Sequence, residues 1–274
     1  MSQNNNLVAE VRQKAIVELI GASQEVKVAD LSDYFGVSTL TVRRDLERLE
    51  KQGFLKKVHG GAVSLQSVVT ATPLMQRDTK NVLQKRAIVA HALGLIKDGD
   101  YIFIESGSTC KLLAQGLKAK RDLKIATVSP EIAVILMELS YTCNLNFEIL
   151  VSGGKLLADR SILVGPGAVS FLKNINMNKA FMTVTAIDTE FGISADSEEE
   201  AEVSRAVLEG FSTLKIGLID SSKFETRSMV RIADIKAFTD IITDTGLSEN
   251  TEKRYIRKGA NITRASVEKS MSDN

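Results

Sequence analysis

Three short polar loops in the second half of the sequence carry the residue types that bind small anions. They read Glu105-Ser-Gly-Ser-Thr-Cys110, Ser152-Gly-Gly-Lys155 and Asp220-Ser-Ser-Lys-Phe224. In the first loop, glycine permits a tight turn, and free N–H groups at the start of a following helix attract phosphate oxygens. The other two loops add close backbone approach and a lysine cation. One such loop could be an ordinary turn, but three with the same chemistry predict a site for a small phosphorylated ligand.

A second group of residues, between Thr39 and Gly60, could contact DNA. This stretch holds six basic and three acidic residues, although the whole chain of 274 residues has a net charge of only +1. A local basic stripe is the least that phosphate contact requires. Many solvated helix faces carry the same charges, so the elements that present these residues must decide between the two interpretations.

The first sixty residues have the pattern of a winged helix-turn-helix. Apolar spacing predicts helices over 7–20 and 26–35, and a third helix that Ser38 caps. Gly36 suits a left-handed helix end, and Gly60-Gly61 suits a hairpin after the third helix. Helix, glycine turn, capped helix and basic ribbon is the order of that DNA-binding motif.

The third helix and the ribbon supply the predicted DNA contacts. Val42, Leu46 and Leu49 share one side of the helix, which leaves the opposite side for DNA. Leu40 suits a thymine methyl, and Arg43 or Arg44 suits a guanine; the alternative for each arginine is a surface ion pair with Asp45 or Glu47. The predicted contacts are Ser38, Thr39, Leu40, Thr41, Arg43, Arg44 and Arg48 on the helix, and Lys56, Lys57 and His59 on the wing.

The rest of the chain alternates strand-like and helical patterns. Strands are predicted over 101–105, 123–128, 147–152, 179–185, 214–220 and 238–244, with helices between them and a long helix over 75–96 before them. Such alternation predicts a doubly wound, mostly parallel sheet, in which ligands bind at the carboxyl ends of the strands. The three polar loops all follow predicted strands, so we expect them at that edge.

The motifs resemble the DeoR family of sugar-responsive regulators. The segments that carry the resemblance are Val37-Ser-Thr-Leu-Thr-Val-Arg-Arg-Asp-Leu46, His59-Gly-Gly-Ala62, the stretch 98–109, Gly153-Gly154 and 220–224. The resemblance implies a DNA-binding domain over 7–63, a linker over 64–74 and an effector-sensing α/β domain over 75–264. That domain is expected to be of the ribose-5-phosphate isomerase/CoA-transferase-like type. A disordered tail is expected over 265–274.

The resemblance also implies which residues contact the effector. Ser106, Gly107, Ser108 and Thr109 are expected to hold its phosphate, and the other expected contacts are Gly153, Gly154, Lys155, Thr185, Glu200, Arg205 and Lys223. The fourth strand departs from the family pattern, because Thr183 replaces a glycine and Thr185 an acidic residue. We therefore expect an altered ligand preference.

An isomerase-like enzyme is the alternative from another functional class. Sugar isomerisation needs a positioned base near the substrate, and related isomerases take acids from the fourth strand and a Lys-Gly-Gly segment after it. Here Thr185 replaces an acid, Phe191-Gly-Ile-Ser194 replaces that segment, and the histidines are His59 and His91. No catalytic residue is therefore predicted. With Cys110 and Cys143 as the two cysteines and no CxxC pair, no metal or cofactor is predicted either.

These features predict a cytoplasmic transcriptional repressor of a carbohydrate-metabolism operon. No apolar run approaches the ~20 residues of a membrane span, and no signal peptide is visible. The expected partners are a double-stranded DNA operator, a phosphorylated sugar that induces the operon, and further copies of the chain in a dimer or tetramer. An activator or dual regulator of the same family remains open, as do the operator, the genes and the sugar.

Overall fold

The chain forms two compact units, residues 1–69 and 70–274, in a computed structural model. The structure describes residues 12–13, 15–17, 19–20, 25–51, 55–58, 60–64 and 74–266. Within this described part, no helix is both long and apolar enough to cross a membrane.

The first unit is a winged helix-turn-helix, as the sequence predicts. It begins with helical residues at 12–13, 15–17 and 19–20. The elements that follow are β1 (Glu25–Lys27), α1 (Val28–Phe35), α2 (Thr39–Lys51), β2 (Leu55–Val58) and β3 (Gly61–Ser64). The strands form an antiparallel sheet in the order β1-β3-β2. The helix expected to begin at residue 26 begins at Val28 instead, because 25–27 pair with β3.

The caps of the helix-turn-helix follow the sequence expectation. Gly36 ends α1 in the left-handed region, with φ 61°, where a side chain would be strained. The Ser38 hydroxyl oxygen accepts the N–H of Thr41 at 3.2 Å, which satisfies a free donor at the start of α2. Val42, Leu46 and Leu49 are buried in the core of this unit. The turn and the cap therefore fix the direction in which α2 leaves α1.

A parallel seven-stranded sheet forms the centre of the second unit. Its order is β15-β14-β12-β9-β4-β5-β6. The strands are β4 (Tyr101–Ile104), β5 (Lys124–Thr127), β6 (Glu148–Val151), β9 (Asn176–Met182), β12 (Phe211–Leu218), β14 (Asp240–Asp244) and β15 (Ile262–Ala265). From β4 the chain winds through β5 to β6, and it then returns to the other side of β4 with β9. The doubly wound prediction is confirmed, and the switch point of the topology lies between β4 and β9.

Helices cover both faces of this sheet. They are α3 (Leu74–Thr79), α4 (Val82–Gly94), α5 (Ser108–Gln115), α6 (Pro130–Cys143), α7 (Pro166–Lys173), α8 (Glu198–Glu209) and α9 (Glu249–Arg257). Alternate residues of β4 enter different cores, since Phe103 packs in one cluster and Ile102 and Ile104 in the other. This two-sided burial is what makes parallel strands almost wholly apolar.

Two features of the second unit differ from expectation. The predicted single helix over 75–96 is broken into α3 and α4, because Asn81 takes a left-handed conformation with φ 55° between them. Two small antiparallel sheets are also added: β7 (Lys155–Leu157) with β8 (Ile162–Val164), and β10 (Ala186–Asp188) with β11 (Gly192–Ala195) and β13 (Val230–Ala233). Their strands of three or four residues are too short to produce a clear alternation in the sequence.

Candidate functional site

The outer face of α2 presents cations and one apolar side chain to solvent. Arg43, Arg44 and Arg48 are exposed, and Leu40 is 58% exposed. Within the described part of the chain, no ion pair engages these three guanidinium groups. The alternative in which Asp45 or Glu47 neutralises each arginine is therefore absent from the structure. An exposed leucine beside unpaired arginines matches the chemistry of base edges and phosphates.

Asp45 is on the inner side of α2 and is buried. It accepts the Nε–H of Arg12 and the side-chain amide of Gln13, each at 2.7 Å. The arginine with which Asp45 pairs therefore belongs to the preceding helical segment and not to α2. This ion pair fixes the first helical segment to the helix that carries the exposed arginines.

The wing contains one predicted cation that the structure describes completely. Lys57 donates its Nζ–H to Glu47 of α2 at 2.8 Å, and its backbone N–H to Glu50 at 2.8 Å. The side chain of Lys56 and all of His59 lie outside the described residues. An exposed ion pair such as Lys57–Glu47 contributes little to stability, so Lys57 can exchange it for a phosphate.

A cavity opens at the carboxyl ends of β4 and β9, at the switch point of the second unit. The residues lining it include Arg77, Glu105, Ser106, Gly107, Arg160, Thr183, Thr185, Glu200 and Ser204. Gly107 precedes α5 with φ 110°, and a Cβ there would lie 2.8 Å from the Thr183 side chain. Glycine is therefore required where the chain turns into α5, and the free N–H groups of that helix begin beside the cavity.

Four of the predicted effector residues line this cavity: Ser106, Gly107, Thr185 and Glu200. Ser108 and Thr109 begin α5 and are buried. The lining does not include Gly153, Gly154, Lys155, Arg205 or Lys223. Lys155 pairs with Glu199 at 2.9 Å, and Arg205 pairs with Glu198 and donates to the carbonyls of residues 231 and 232. The sequence thus locates the loop before α5 better than the rest of the cavity.

Glu105 is a buried carboxylate in the cavity wall. It accepts the hydroxyl of Ser204 at 2.8 Å and the backbone N–H of Thr183 at 2.9 Å. Burial raises the pKa of Glu105 to about 7, because desolvation outweighs these two hydrogen bonds. The group is therefore balanced between its neutral and charged forms near neutral pH, and it can either donate to or accept from a ligand hydroxyl.

Two arginines supply the positive charge of the cavity. Arg160, in the turn between β7 and β8, donates to Asp196 at 2.8 Å and to Glu200 at 3.2 Å. Arg77 comes from α3, and burial together with the charge of Arg160 lowers its pKa. Two guanidinium groups on one cavity wall can both donate hydrogen bonds to an anion.

Lys223 lies in the loop after β12, close to these charges. Burial lowers its pKa to about 8, with smaller contributions in the same direction from Arg77 and Lys85 and an opposing one from Asp220. The loop is held in shape because Ser221 donates its hydroxyl to Asp244 at 2.9 Å and Asp220 accepts the N–H of Ser222 at 3.1 Å. Lys223 therefore adds to the positive field around Arg77.

Sequence reasoning missed Arg77, Arg160 and Glu105 as site residues. Glu105 stands directly after the first strand of the sheet, the position that carries ligand contacts in this topology, so its signal was available. Arg160 lies in a hairpin that the periodicity did not reveal, and Arg77 lies in the predicted helix over 75–96, whose break at Asn81 was not foreseen. Only the three-dimensional arrangement brings them to the strand ends.

Family models match both units of the chain. The DeoR-like helix-turn-helix domain matches residues 12–68, and the DeoR C terminal sensor domain matches residues 80–245. The chain belongs to the DeoR family of transcriptional regulators. As a DeoR-type regulator, it has a DNA-binding helix-turn-helix and a sensor domain for a small-molecule effector.

Curated relatives of this DeoR regulator match it over most of their length. An uncharacterized HTH-type transcriptional regulator, YulB of Bacillus subtilis, is 33% identical over 96% of this chain and 99% of that protein. The HTH-type transcriptional regulator GlpR of Haloferax volcanii is 32% identical over 92% of this chain and 96% of its own. A putative aga operon transcriptional repressor of Escherichia coli O157:H7 is 30% identical over 92% of both chains.

Solved structures resemble the DeoR regulator only distantly. A D-ribose-5-phosphate isomerase in complex with phospho-erythronic acid has 17% identity and a TM-score of 0.35, over 51% of this chain and 52% of that one. A ribose 5-phosphate isomerase A from Neisseria gonorrhoeae has 15% identity and a TM-score of 0.37, over 55% and 56% of the two chains. A likeness of this size says nothing about activity, so function has to be argued from the sites.

Proposed function

We propose that this chain is a repressor of a carbohydrate-metabolism operon, and that a phosphorylated sugar bound in the cavity of the second unit releases it from DNA. The observation that carries the proposal is the cavity between β4 and β9. Ser106 and Gly107, directly before α5, share its wall with Arg77 and Arg160. Helix N–H groups and guanidinium groups both favour phosphate oxygens.

The other cavity residues suit the hydroxyl groups of a sugar. Glu105, Glu200 and Ser204 can accept or donate hydrogen bonds, and Thr185 adds a hydroxyl to the wall. An apolar ligand would leave the remaining hydrogen-bonding capacity of these groups unsatisfied, which is costly in a buried site. Thr183 and Thr185, in the loop directly after β9, narrow the choice of sugar, since each replaces the residue usual in the family. Lys223 strengthens the positive field that attracts the phosphate.

The DNA-binding part of the proposal rests on α2 and the wing. The free guanidinium groups of Arg43, Arg44 and Arg48, together with exposed Leu40, suit a major groove, and Lys57 suits the backbone beside it. Helix-turn-helix regulators read two half-sites as dimers, so we expect a dimer or tetramer of this chain on a double-stranded operator. The relative named as a putative operon repressor supports repression rather than activation.

Induction requires that the effector bind the two states of the protein unequally. A ligand shifts an equilibrium only by its differential affinity for the two states, and coupling energies are typically ~1–3 kcal/mol. We therefore expect a sugar phosphate to weaken operator binding without contacting DNA.

A ligand screen on the full chain tests the proposal. An operator is first selected from random-sequence duplex DNA, and aldose and ketose phosphates are then ranked by the rise in melting temperature that each causes. The best of them should raise the operator Kd at fixed salt. Lys223→Ala should reduce the thermal shift, whereas Lys253→Ala, an exposed lysine paired with Glu249 on α9, should leave it unchanged.

Two results would contradict the proposal. One is an operator affinity that no sugar phosphate alters, and the other is an equal thermal shift in Lys223→Ala and wild type. A reporter gene placed behind the selected operator separates the two directions of regulation. Repression predicts more transcription when the regulator gene is deleted, and an activator predicts less.

A further inference from the structure

Arg77 reaches the effector cavity from an element with an unusual place in the chain. It lies on α3, the first described element of the second unit, and nine residues separate α3 from the wing strand β3 in the sequence. The other cavity residues discussed above come from the loops that follow β4 and β9, from α8, or from the β7–β8 turn. The segment that leads from the wing therefore ends in a helix that puts a cation into the cavity.

A buried lysine on α4 holds the backbone at the end of α3 through two hydrogen bonds. Lys85, on α4, donates its Nζ–H to the carbonyls of Arg77 and Lys80, each at 2.6 Å, and only 4% of the residue is exposed. A buried ammonium group is costly unless it is hydrogen-bonded, so these two bonds are required rather than incidental. They are possible because Asn81 turns the chain between α3 and α4.

Two side chains connect α3 with the elements that form the site. Asp78 accepts the Nζ–H of Lys111 on α5 at 2.9 Å, and Lys111 also pairs with Glu131 on α6. Asn81 donates its amide to Asp220 and to the hydroxyl of Ser222, both at 3.0 Å, in the loop that carries Lys223. The position of α3 thus depends on the phosphate-binding helix and on the lysine loop together.

From this arrangement we propose that Arg77 is both an effector contact and the residue through which effector binding is transmitted to the linker. This inference rests on the proposed function, because it concerns how ligand binding in the same cavity is transmitted to the linker. An anion that accepts hydrogen bonds from both Arg77 and Arg160, which line the same cavity, connects α3 to the β7–β8 turn and so holds α3 in one position. The segment that precedes α3, and leads to the wing, is then anchored at a point that effector occupancy determines.

Amide hydrogen exchange on the full chain tests the local step. Ribose 5-phosphate and inorganic phosphate serve as probes, and wild type is compared with Arg77→Gln and with Arg86→Gln, which changes an exposed arginine on α4. Either probe should slow exchange at residues 74–79 in wild type and in Arg86→Gln, and should have no effect there in Arg77→Gln. Equal slowing in Arg77→Gln, or no slowing in wild type, would overturn the proposal.

Operator binding tests the transmission. For each variant the operator Kd is measured with and without a saturating sugar phosphate, and the ratio of the two is compared; couplings in such systems are typically ~5- to 150-fold. Wild type and Arg86→Gln should share one ratio, and Arg77→Gln should approach a ratio of one. Lys111→Met removes the ion pair with Asp78, which lies outside the cavity. This variant should bind the effector with wild-type affinity, but its ratio of operator Kd values should fall part of the way toward one.

The outcomes separate the two proposals. If Arg77→Gln keeps the wild-type ratio at saturating effector, Arg77 does not transmit binding, and the proposed function stands. If Lys111→Met also keeps the full ratio, the connection through α3 is wrong. If no sugar phosphate alters operator binding by wild type, the proposed function fails and this inference fails with it.

Discussion

At the scale of single residues, Glu105 is a carboxylate that the sensor unit buries at the edge of its cavity. Its carboxyl group is buried, yet it belongs to the wall of the cavity. A buried charge is costly unless hydrogen bonds replace water, and here Ser204 and the N–H of Thr183 replace it only in part. The site therefore keeps a group whose charged form the fold disfavours, which suggests a use in ligand binding rather than in stability.

Glu105 should give the folded chain a specific pH dependence. Its pKa rises from the usual 4.5 to about 7 on folding, so between those values the folded state holds a proton that the unfolded state has lost. The free energy of unfolding should therefore fall as pH rises from 4.5 to 7, by up to about 3 kcal/mol from this group. Glu105→Gln should remove that part of the slope in urea denaturation of the sensor unit.

The matched control for this experiment is Glu138→Gln, an exposed glutamate on α6. It should leave the pH slope of wild type unchanged. A slope that is the same in wild type and in Glu105→Gln would show that the Glu105 carboxyl titrates alike in the folded and unfolded states.

Asp45 is the residue on which the geometry of the DNA-binding unit depends. Asp45→Ala would leave the guanidinium of Arg12 partly buried without its carboxylate, and breaking such a pair costs about 3 kcal/mol. Amides of residues 39–51 should then exchange faster in the variant, while those of β4 should not change. Asp33→Ala, an exposed aspartate on α1, is the control. Unchanged exchange in α2 of Asp45→Ala would contradict this role.

At the scale of elements, α2 should determine which operator sequence the protein prefers. The wing, which is the β2–β3 hairpin, should determine its affinity for duplex DNA of any sequence. Arg44→Ala should weaken binding to the selected operator by about 1–3 kcal/mol, since a bidentate contact to guanine is lost. It should have little effect on unrelated duplexes. Fluorescence anisotropy with both duplexes at one salt concentration measures the difference, and Arg86→Ala, an exposed arginine on α4, is the control.

Lys57→Ala provides the contrast to Arg44→Ala. A phosphate contact carries no sequence information, so this variant should lose affinity equally for all duplexes and reduce the salt slope by about one. If Arg44→Ala behaves in the same way as Lys57→Ala, Arg44 binds phosphate and Arg43 becomes the candidate for the guanine contact.

Elements with strong periodicity could be predicted from the sequence, and short ones could not. The six predicted strands of the sheet all occur, as do the turn at Gly36 and the cap at Ser38. β1, the edge strand β15 and the two small sheets were missed, because three or four residues do not establish an alternation. The tail expected from residue 265 therefore begins later, since Ala265 is buried in β15. The break at Asn81 was missed because apolar spacing continues across it, and the structure explains it by tertiary contacts of Asn81 and Lys85.

The same division applies to the site. Ser106, Gly107, Thr185 and Glu200 could be placed from the loop chemistry and the family resemblance, since they lie at or near strand ends. Arg77 and Arg160 could not, because Arg160 lies on a hairpin that local sequence does not reveal, and the predicted helix over 75–96 gives no sign that Arg77 reaches the cavity. Charge pairs across the fold, such as Arg160 with Asp196, depend on distant segments and leave no periodic trace.

At the scale of the whole molecule, the two sites must affect each other equally. If a sugar phosphate raises the operator Kd by some factor, the operator must raise the Kd of that sugar phosphate by the same factor, because both paths join the same four states. Isothermal titration of the sugar phosphate into the full chain, with and without saturating operator duplex, measures the second factor. Anisotropy measures the first at the same salt and temperature.

Reciprocity also identifies which protein groups carry the coupling. Arg77→Gln should bring the change in operator Kd and the change in effector Kd toward one together. Lys223→Ala should weaken effector binding by a similar amount with and without operator, so the ratio of its two effector Kd values should stay near that of wild type. A duplex of scrambled sequence at equal concentration controls for nonspecific charge, since it should leave the effector Kd unchanged. If the change in operator Kd and the change in effector Kd differ in wild type, the effector also binds at a second site, for example one that exists only when the protein is on DNA.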